Sequence, residues 1–327
     1  MRCDKAKARR SPIIILIESQ IGVCMQEQAR VIAIVVTWNR QELLRRCLTA
    51  LEAQTTAIGA IFVIDNACTD GTLEMLRSEF PDVRIRTMDK NTGGAGGWAE
   101  GLRIAQQEDW DFAWLMDDDA WASPDALGEL LEGYADIQPK PTFVCSRVVD
   151  ETNETINSPA LLALDSGVSW DRYLSSGRLP LNACSFVSAL IPMKESRRVG
   201  IPLAHYFLWM DDCEYTLRLS GMGPGWYIAT SLVFHPRPFG LRNPDLLLES
   251  NAKRIPIYKH FFSNDLETRI RHPGRFGKRW TISYANYIRR CFWVLIAGGE
   301  WFKLSILTKG IALGIWRGAR WRFSRTH

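Results

Sequence analysis

The chain contains no apolar run of the roughly 18 residues that a membrane-spanning helix needs, which excludes a helical integral membrane protein. Closely spaced cysteine pairs are missing as well. The eight cysteines stand singly, at 3, 24, 47, 68, 145, 184, 213 and 291. That pattern excludes the common zinc and redox motifs, and 327 residues far exceed a small secreted disulfide scaffold. Reduced thiols in a cytoplasmic protein are expected. Internal repeats and low-complexity tracts are absent, so a repeat architecture is excluded. Acid is nearly absent from the C-terminal part. Arg271 to His327 hold twelve Lys or Arg against one acid, Glu300, about +11, whereas the residues before them hold 28 basic and 35 acidic, about −7. So uneven a split gives the basic part a surface role of its own.

What is present describes a globular domain with an accessory piece. Apolar residues make up 46% and charged residues 23%, ordinary values for a protein with a sizeable core. At the start, basic Lys5–Arg10 precedes apolar Pro12–Ile17, a run too short for a signal-peptide core. Residues 1–27 are expected to form a loose extension, with Met25 just ahead of the first strand and an upstream start codon as its origin. Residues 28–240 are expected to be the catalytic domain and 241–327 a helical, basic and aromatic segment.

Val31–Thr37 is β-branched and reads as a buried strand, and Leu43, Leu44, Cys47, Leu48 and Leu51 follow at helical spacing. Ala60–Ile64 is a second strand ending at Asp65, and Asp70-Gly71-Thr72 opens a helix. Val83–Thr87 is a third strand, followed by a glycine-rich loop and a helix over Trp98–Gln107. Phe112–Met116 is a fourth, running into three aspartates. Such alternation predicts an α/β fold, a mostly parallel sheet with helices on both faces. Ligands collect beyond the carboxyl ends of such strands, where Asp65, Asn91 and Asp117–Asp119 all stand. Beyond Pro124, strands are expected over Thr142–Val149, Ala183–Ile191 and Trp226–Phe234. A long loop is expected over Asp150–Arg178 and a helix from Asp211 to about Leu219.

Three segments can carry chemistry. Asp117-Asp118-Asp119 at a strand end can hold a hard divalent cation, which grips phosphate oxygens; in isolation such a triplet is a solvated acidic turn. Asn91-Thr92-Gly93-Gly94-Ala95-Gly96-Gly97 can bring backbone N–H groups to a phosphate; alone it reads equally as a linker. Asp211-Asp212-Cys213-Glu214 begins a helix, with Asp211 expected as N-cap and Glu214 paired with Arg218. Asp212, beside Tyr206, Phe207 and Trp209, is left to take a proton from an acceptor hydroxyl. His235 follows an apolar strand and can complete a metal site.

Together these motifs resemble glycosyltransferase family 2, whose members have the GT-A fold, a Rossmann-like sheet. Val35-Val36-Thr37-Trp38-Asn39-Arg40 is similar to that family's first strand and nucleotide-binding turn. Ile64-Asp65-Asn66-Ala67-Cys68-Thr69-Asp70-Gly71-Thr72 matches its D-N-x-S-x-D-G-T signature, with Cys68 where Ser is commoner. Asn91–Gly97 resembles the N-x-G-G-x-G-G of one branch, Asp117–Asp119 its D-x-D, and Trp209–Tyr215 its W-x-D-D-x-E-Y. The branch includes bacterial galactofuranosyl- and rhamnosyltransferases, and the resemblance runs from about Val31 to Pro238. It implies inverting transfer of a sugar, galactofuranose or rhamnose, from a UDP- or dTDP-sugar to a cell-envelope glycan or lipid-linked acceptor. It also implies donor contacts at Thr37, Asn39, Arg40, Asp65, Asn91, Gly94 and Asp118. Mn²⁺ or Mg²⁺ would sit on Asp117, Asp119 and His235, with Asp212 as base and Trp209, Asp211 and Phe186 on the acceptor side. Phe186 is this chain's departure, since the branch carries tryptophans on the strand near Ala183–Ile191.

The basic tail interleaves Trp280, Trp293, Trp301, Trp316 and Trp321 with arginine and lysine. That composition fits an anionic membrane surface, and the expected location is peripheral, on the inner face of the cell membrane. A helical lid over the catalytic domain is the alternative. No nucleic-acid recognition motif is present. A sugar nucleotidyltransferase or a noncatalytic carbohydrate-binding protein are the competing functions; the first needs no acceptor base and the second no acidic triplet.

Overall fold

The structure, a computed structural model, describes residues 29–157, 159–161, 173, 175–236, 245–276 and 278–326. The expected extension over residues 1–27 and the expected boundary at residue 240 lie outside them, as does much of the long loop over Asp150–Arg178.

The first half is built as expected. Strands β1 (Val31–Thr37), β2 (Ala60–Asp65), β3 (Arg84–Thr87) and β4 (Phe112–Asp117) lie in the order β3-β2-β1-β4, all parallel. Helices α1 (Gln41–Glu52), α2 (Thr72–Glu79) and α3 (Gly93–Ala105) connect them. Because side chains alternate along a strand, β1 feeds two cores. Val31, Ala33 and Val35 face α1 and α2, packing on Leu44, Leu48 and Met75. Ile32 and Ile34 face the opposite side, with Trp98 and Leu102 of α3. A strand buried on both faces must be apolar throughout, which is why VIAIVVT shows no polar alternation.

Helix α3 departs from expectation. The glycines of the presumed loop form its first turns, because the helix begins at Gly93 rather than Trp98. The physical reason is proximity to β1: a Cβ on Gly97 would come within 2.3 Å of Val36 Cγ1. Only a residue without a side chain lets the helix lie so close.

The second half of the sheet is mixed. After β5 (Trp121–Ala122) and helix α4 (Ala126–Asp136) come β6 (Val144–Val149), β7 (Ala160–Leu161), β8 (Arg178–Ala183), β9 (Ser188–Pro192) and β10 (Gly225–Phe234). The single strand expected over Ala183–Ile191 is two, β8 and β9, with a turn between them. Strand β9 runs antiparallel between β4 and β6, β10 is parallel to β6, and β8 and β5 pair antiparallel with β10. Helices α5 (Met193–Val199) and α6 (Asp211–Ser220) lie between β9 and β10 in the chain.

The C-terminal segment is helical, as expected: α7 (Tyr258–Arg271), α8 (Lys278–Ala297) and α9 (Trp301–Thr326). Helix α9 lies against α7 along Gly310, Gly314 and Gly318, where a Cβ would strike Phe262, Ser263 and Ile270. A third core gathers there, with Tyr258, Phe262, Cys291, Leu295 and Leu307. Trp209, from the catalytic half, packs against it.

Candidate active site

Strand register aligns the polar ends. Thr37 is level with Asp65, and Val36 with Asp117, so β1, β2 and β4 terminate together. Asp117–Asp119 and His235 are far apart in sequence, and β5 brings them together. It pairs with the end of β10, Trp121 opposite Phe234. That puts the residue after β10 beside the residues before β5. His235 Nε2 lies 3.1 Å from Asp119 Oδ1. Ligand atoms of Asp117, Asp119 and His235 all lie within 4.8 Å of one another. Two carboxylates and an imidazole form a donor set suited to Mn²⁺ and acceptable to Mg²⁺. His235 Nδ1 is buried without a hydrogen-bond partner, so the ring is not locked away from a cation by a competing network.

Charge in this cluster is tightly balanced. Burial and the neighbouring Asp119 push Asp117 up to about 7. Burial pushes Asp118 to about 6, opposed by the charge of Arg40. For Asp119 burial acts upward, but the bond to His235 and the charge of Arg40 outweigh it and hold it low. His235 is raised: burial lowers it, yet Asp119 and Asp117 together win. Arg40 is the counter-ion, donating from Nη1 to Asp118 Oδ1 at 3.0 Å and also to Asp119 Oδ2. Thr37 is buried at the end of β1, its hydroxyl without a hydrogen-bond partner among the described residues.

Around the acids, the two loops after β1 and β2 are stitched together. Asn39, at φ 53°, accepts the Thr69 N–H on its Oδ1 at 2.7 Å, and its own N–H goes to Cys68 Sγ at 3.2 Å. Cys68 thus takes the structural role open to a serine at that position. Asp65 is buried and accepts the Cys68 N–H at 2.8 Å. Asn66, to which the sequence reading gave no role, is the central tie. Its Nδ2 donates to Gly93 O at 2.9 Å and Asn91 Oδ1 at 3.2 Å, while its Oδ1 accepts the Thr92 N–H at 2.9 Å. Its place in the D-N-x-S-x-D-G-T signature was the available signal. Asn91 Oδ1 also accepts the Gly93 N–H at 2.7 Å. Among the five residues Gly93–Gly97, only Gly94 is not buried.

The second acidic motif opens helix α6. Met210, at φ 69°, rather than Asp211, is the N-cap of α6, and no side chain caps the helix. The N-cap expected at Asp211 is therefore not formed. Glu214 instead meets Arg218 at 3.0 Å, as expected from i,i+4 spacing, and His272 at 3.2 Å. Asp211 is buried, and burial together with Asp212 and the more distant Asp117 raises its carboxyl. Asp212 is half-buried; burial lifts it to about 6, restrained by the Cys213 N–H it accepts at 2.6 Å. The aromatic residues beside it face inward. Tyr206 is buried with its hydroxyl on Thr268, Phe207 stacks on His260, and half-buried Trp209 leans on Tyr258 and Phe261. Phe186 is 2% exposed and edge-on to Trp98 and Tyr215. It belongs to the core, away from any surface open to an acceptor.

The two sides meet at Gly93. Phe207 O accepts the Ala95 N–H at 3.1 Å, and a Cβ on Gly93 would fall 2.0 Å from that same oxygen. Gly93 also sits at φ +70°, where a side chain is strained. Gly93→Ala is expected to destabilise the fold by at least about 2 kcal/mol, read as a lower urea midpoint; an unchanged midpoint would show that this contact is dispensable.

Comparison with known proteins agrees with this fold. The family model Glycosyl transferase family 2 matches residues 32–190. The Mycobacterium tuberculosis (strain ATCC 25618 / H37Rv) protein named Galactofuranosyltransferase GlfT1 is 33% identical over 209 residues, 59% of this chain and 65% of the relative. The chain therefore spans just under two thirds of that relative's length. The Mycolicibacterium smegmatis protein of the same name is 30% identical over 225 residues, 63% of this chain and 70% of the relative. Among solved structures, S. aureus TarS 1–349 in complex with UDP superposes with TM-score 0.53 at 10% identity, over 74% of this chain and 65% of that one. GalNAc-T7 with UDP, GalNAc and Mn²⁺ gives 0.54 at 13%, over 75% and 52%. At such identities the likeness is one of fold.

Proposed function

The chain belongs to glycosyltransferase family 2, and from that membership and the cleft's geometry we propose that it is an inverting, divalent-metal-dependent transferase of galactofuranose or rhamnose. The donor is a UDP- or dTDP-sugar and the acceptor a cell-envelope glycan or lipid-linked saccharide. The observation that carries this reading is the meeting of Asp117, Asp119 and His235 at one point, near enough to Asp211 for the charge of Asp117 to act on it. The relatives named as galactofuranosyltransferases favour galactofuranose.

In this reading Thr37, Asn39, Arg40, Asp65, Asn91, Gly94 and Asp118 line the donor. Asp117, Asp119 and His235 hold Mn²⁺ or Mg²⁺, which when bound neutralises charge on the departing diphosphate. Arg40 supplies a second positive charge for the same oxygens. Asp212 takes the proton of the attacking hydroxyl as the new glycosidic bond forms on the face opposite the leaving group. Asp211, its carboxyl raised by burial and by Asp212, and Trp209 border the acceptor. Phe186 is left out of the acceptor side because it is buried. Metal-dependent turnover of UDP-galactofuranose, by transfer or hydrolysis, is the decisive assay. Failure of every UDP- and dTDP-sugar to turn over or bind would reject the enzyme reading in favour of a carbohydrate-binding protein. Release of a nucleoside triphosphate with pyrophosphate as co-substrate would point to a nucleotidyltransferase.

The same reading has the enzyme act at the inner face of the cell membrane. Among the described residues no helix is long and apolar enough to cross one. Instead the end of α8 and the start of α9 expose Phe292, Trp293, Val294, Trp301 and Phe302, with Trp293 and Trp301 each 65% exposed. Exposed Arg289 and Arg290 lie one turn behind. An apolar tip with a cationic collar suits an anionic bilayer, the tip entering the headgroup boundary and the arginines meeting phosphates. The full chain is expected to co-sediment with phosphatidylglycerol vesicles, less at high salt, and a Trp293→Ala/Trp301→Ala variant to bind roughly tenfold more weakly. Equal binding of variant and parent would remove the tip from the account.

A further inference from the structure

Five residues, Tyr206 to Met210, run into the start of α6 and touch the start of α3, and they follow an unusual path. Phe207, Trp209 and Met210 have φ of 64°, 65° and 69°. Bulky residues rarely occupy this left-handed region, and when they do the surroundings must hold them there. The path sets the site directly, since Met210 caps the helix that opens with Asp211 and Asp212, and Phe207 O receives the Ala95 N–H of α3.

What holds it is one side chain from the C-terminal segment. Asn264 of α7 is fully buried. Its Nδ2 points at three carbonyls of the loop: Tyr206 O at 2.8 Å, Trp209 O at 2.9 Å and Leu208 O at 3.0 Å. Its Oδ1 faces away, toward Ser263 Oγ at 3.2 Å and Arg317 Nη1 of α9 at 3.4 Å. Acceptors on one side and donors on the other fix which end of the amide is which. With the Phe207 oxygen on Ala95 and the Met210 oxygen on the Glu214 N–H, every carbonyl from 206 to 210 is satisfied. Tyr206 O also accepts the Leu208 N–H at 2.7 Å, so two of the five, those of Leu208 and Trp209, depend on Asn264.

We infer that Asn264 is a positioning residue: its amide clamps residues 206–209 in their left-handed course and so sets where Asp212 stands relative to the donor side. The proposal rests on the reading of Asp212 as the base. It makes α7 part of the active site's frame rather than part of an appended tail.

The test uses the full chain, with UDP-galactofuranose turned over by transfer to octyl β-galactofuranoside or to water. Asn264→Asp keeps the shape but sets a carboxylate oxygen against three carbonyls. It is expected to lower kcat about a hundredfold while UDP affinity, measured by calorimetry, stays within twofold. The acid limb of the kcat profile should move to lower pH as the base gains solvent. Met210→Gly accepts the left-handed φ without help, so Asn264→Asp/Met210→Gly should recover at least tenfold of the lost rate. Should Asn264→Asp fail to fold, Asn264→Ser, with one donor left, takes its place with the same expectations. A folded variant with kcat within threefold of the parent overturns the proposal. So does parallel loss of UDP binding and rate without rescue, the signature of a purely structural role. Asp212→Asn is run alongside: if that variant stays active, the assignment of the base has failed rather than the clamp.

Discussion

Asp212→Asn is expected to lower kcat by about 10²–10⁴-fold, the range a positioned general base contributes, while donor affinity changes less than twofold. The amide fills the same volume and can still accept the Cys213 N–H, so the start of α6 is undisturbed. Only proton acceptance is lost. The parent enzyme should also show the base in its pH profile. Burial holds Asp212 at about 6, and the base works only when ionised. Activity should therefore be level above about pH 7 and fall roughly tenfold per unit below 6. Asp212→Asn should lack that limb. Equal loss of donor binding in a calorimetric titration would assign Asp212 to the donor pocket instead.

The second large effect concerns the cation. Asp119→Ala removes a ligand shared with His235 and one of the two partners of Arg40. Several kcal/mol of stabilisation of the leaving diphosphate should be lost, about 10³-fold or more in rate. EDTA should reproduce the effect in the parent and do nothing further to the variant. Proton linkage adds a check. Asp117 is lifted to about 7 by burial and by Asp119, so a cation must displace a proton below that pH. Apparent Mn²⁺ affinity should fall by up to tenfold per unit below pH 7 and level off above it. Without metal the sign for stability is opposite to that of a salt-bridged carboxylate. The raised group binds its proton more tightly in the fold than in the unfolded chain. Its contribution is full below about pH 4 and lost as pH rises through about 7. Added Mn²⁺ should therefore raise Tm more at pH 8 than at pH 6. The reverse order would remove Asp117 from the metal site.

Legibility in the sequence followed the range of the interaction. Strand β1 could be read because burial on both faces demands an unbroken apolar run. The pair Glu214–Arg218 could be read because i,i+4 spacing is local. The acids at strand ends could be placed because parallel sheets gather ligands at one edge. Where the deciding contact was distant, reading failed. The glycines after Asn91 look like a loop, yet Val36 and Phe207 make them helix. Asp211 looks like an N-cap, yet Met210 takes that place in a backbone path held by Asn264. Phe186 looks available for stacking until Trp98 and Tyr215 enclose it. The roles of Asn66 and Asn264 could not be read locally, because the loops they tie lie 25 to 58 residues away.

By itself, then, the sequence determined the α/β alternation, the family and the set of acids competent for chemistry. These depend on periodicity and on motifs short enough to be contiguous in the chain. Tertiary structure decided which acids stand together with His235, through the pairing of β5 with β10. It also decided that α7 frames the site, through one buried amide. Both outcomes depend on long-range packing, and neighbouring residues along the chain carry no record of that.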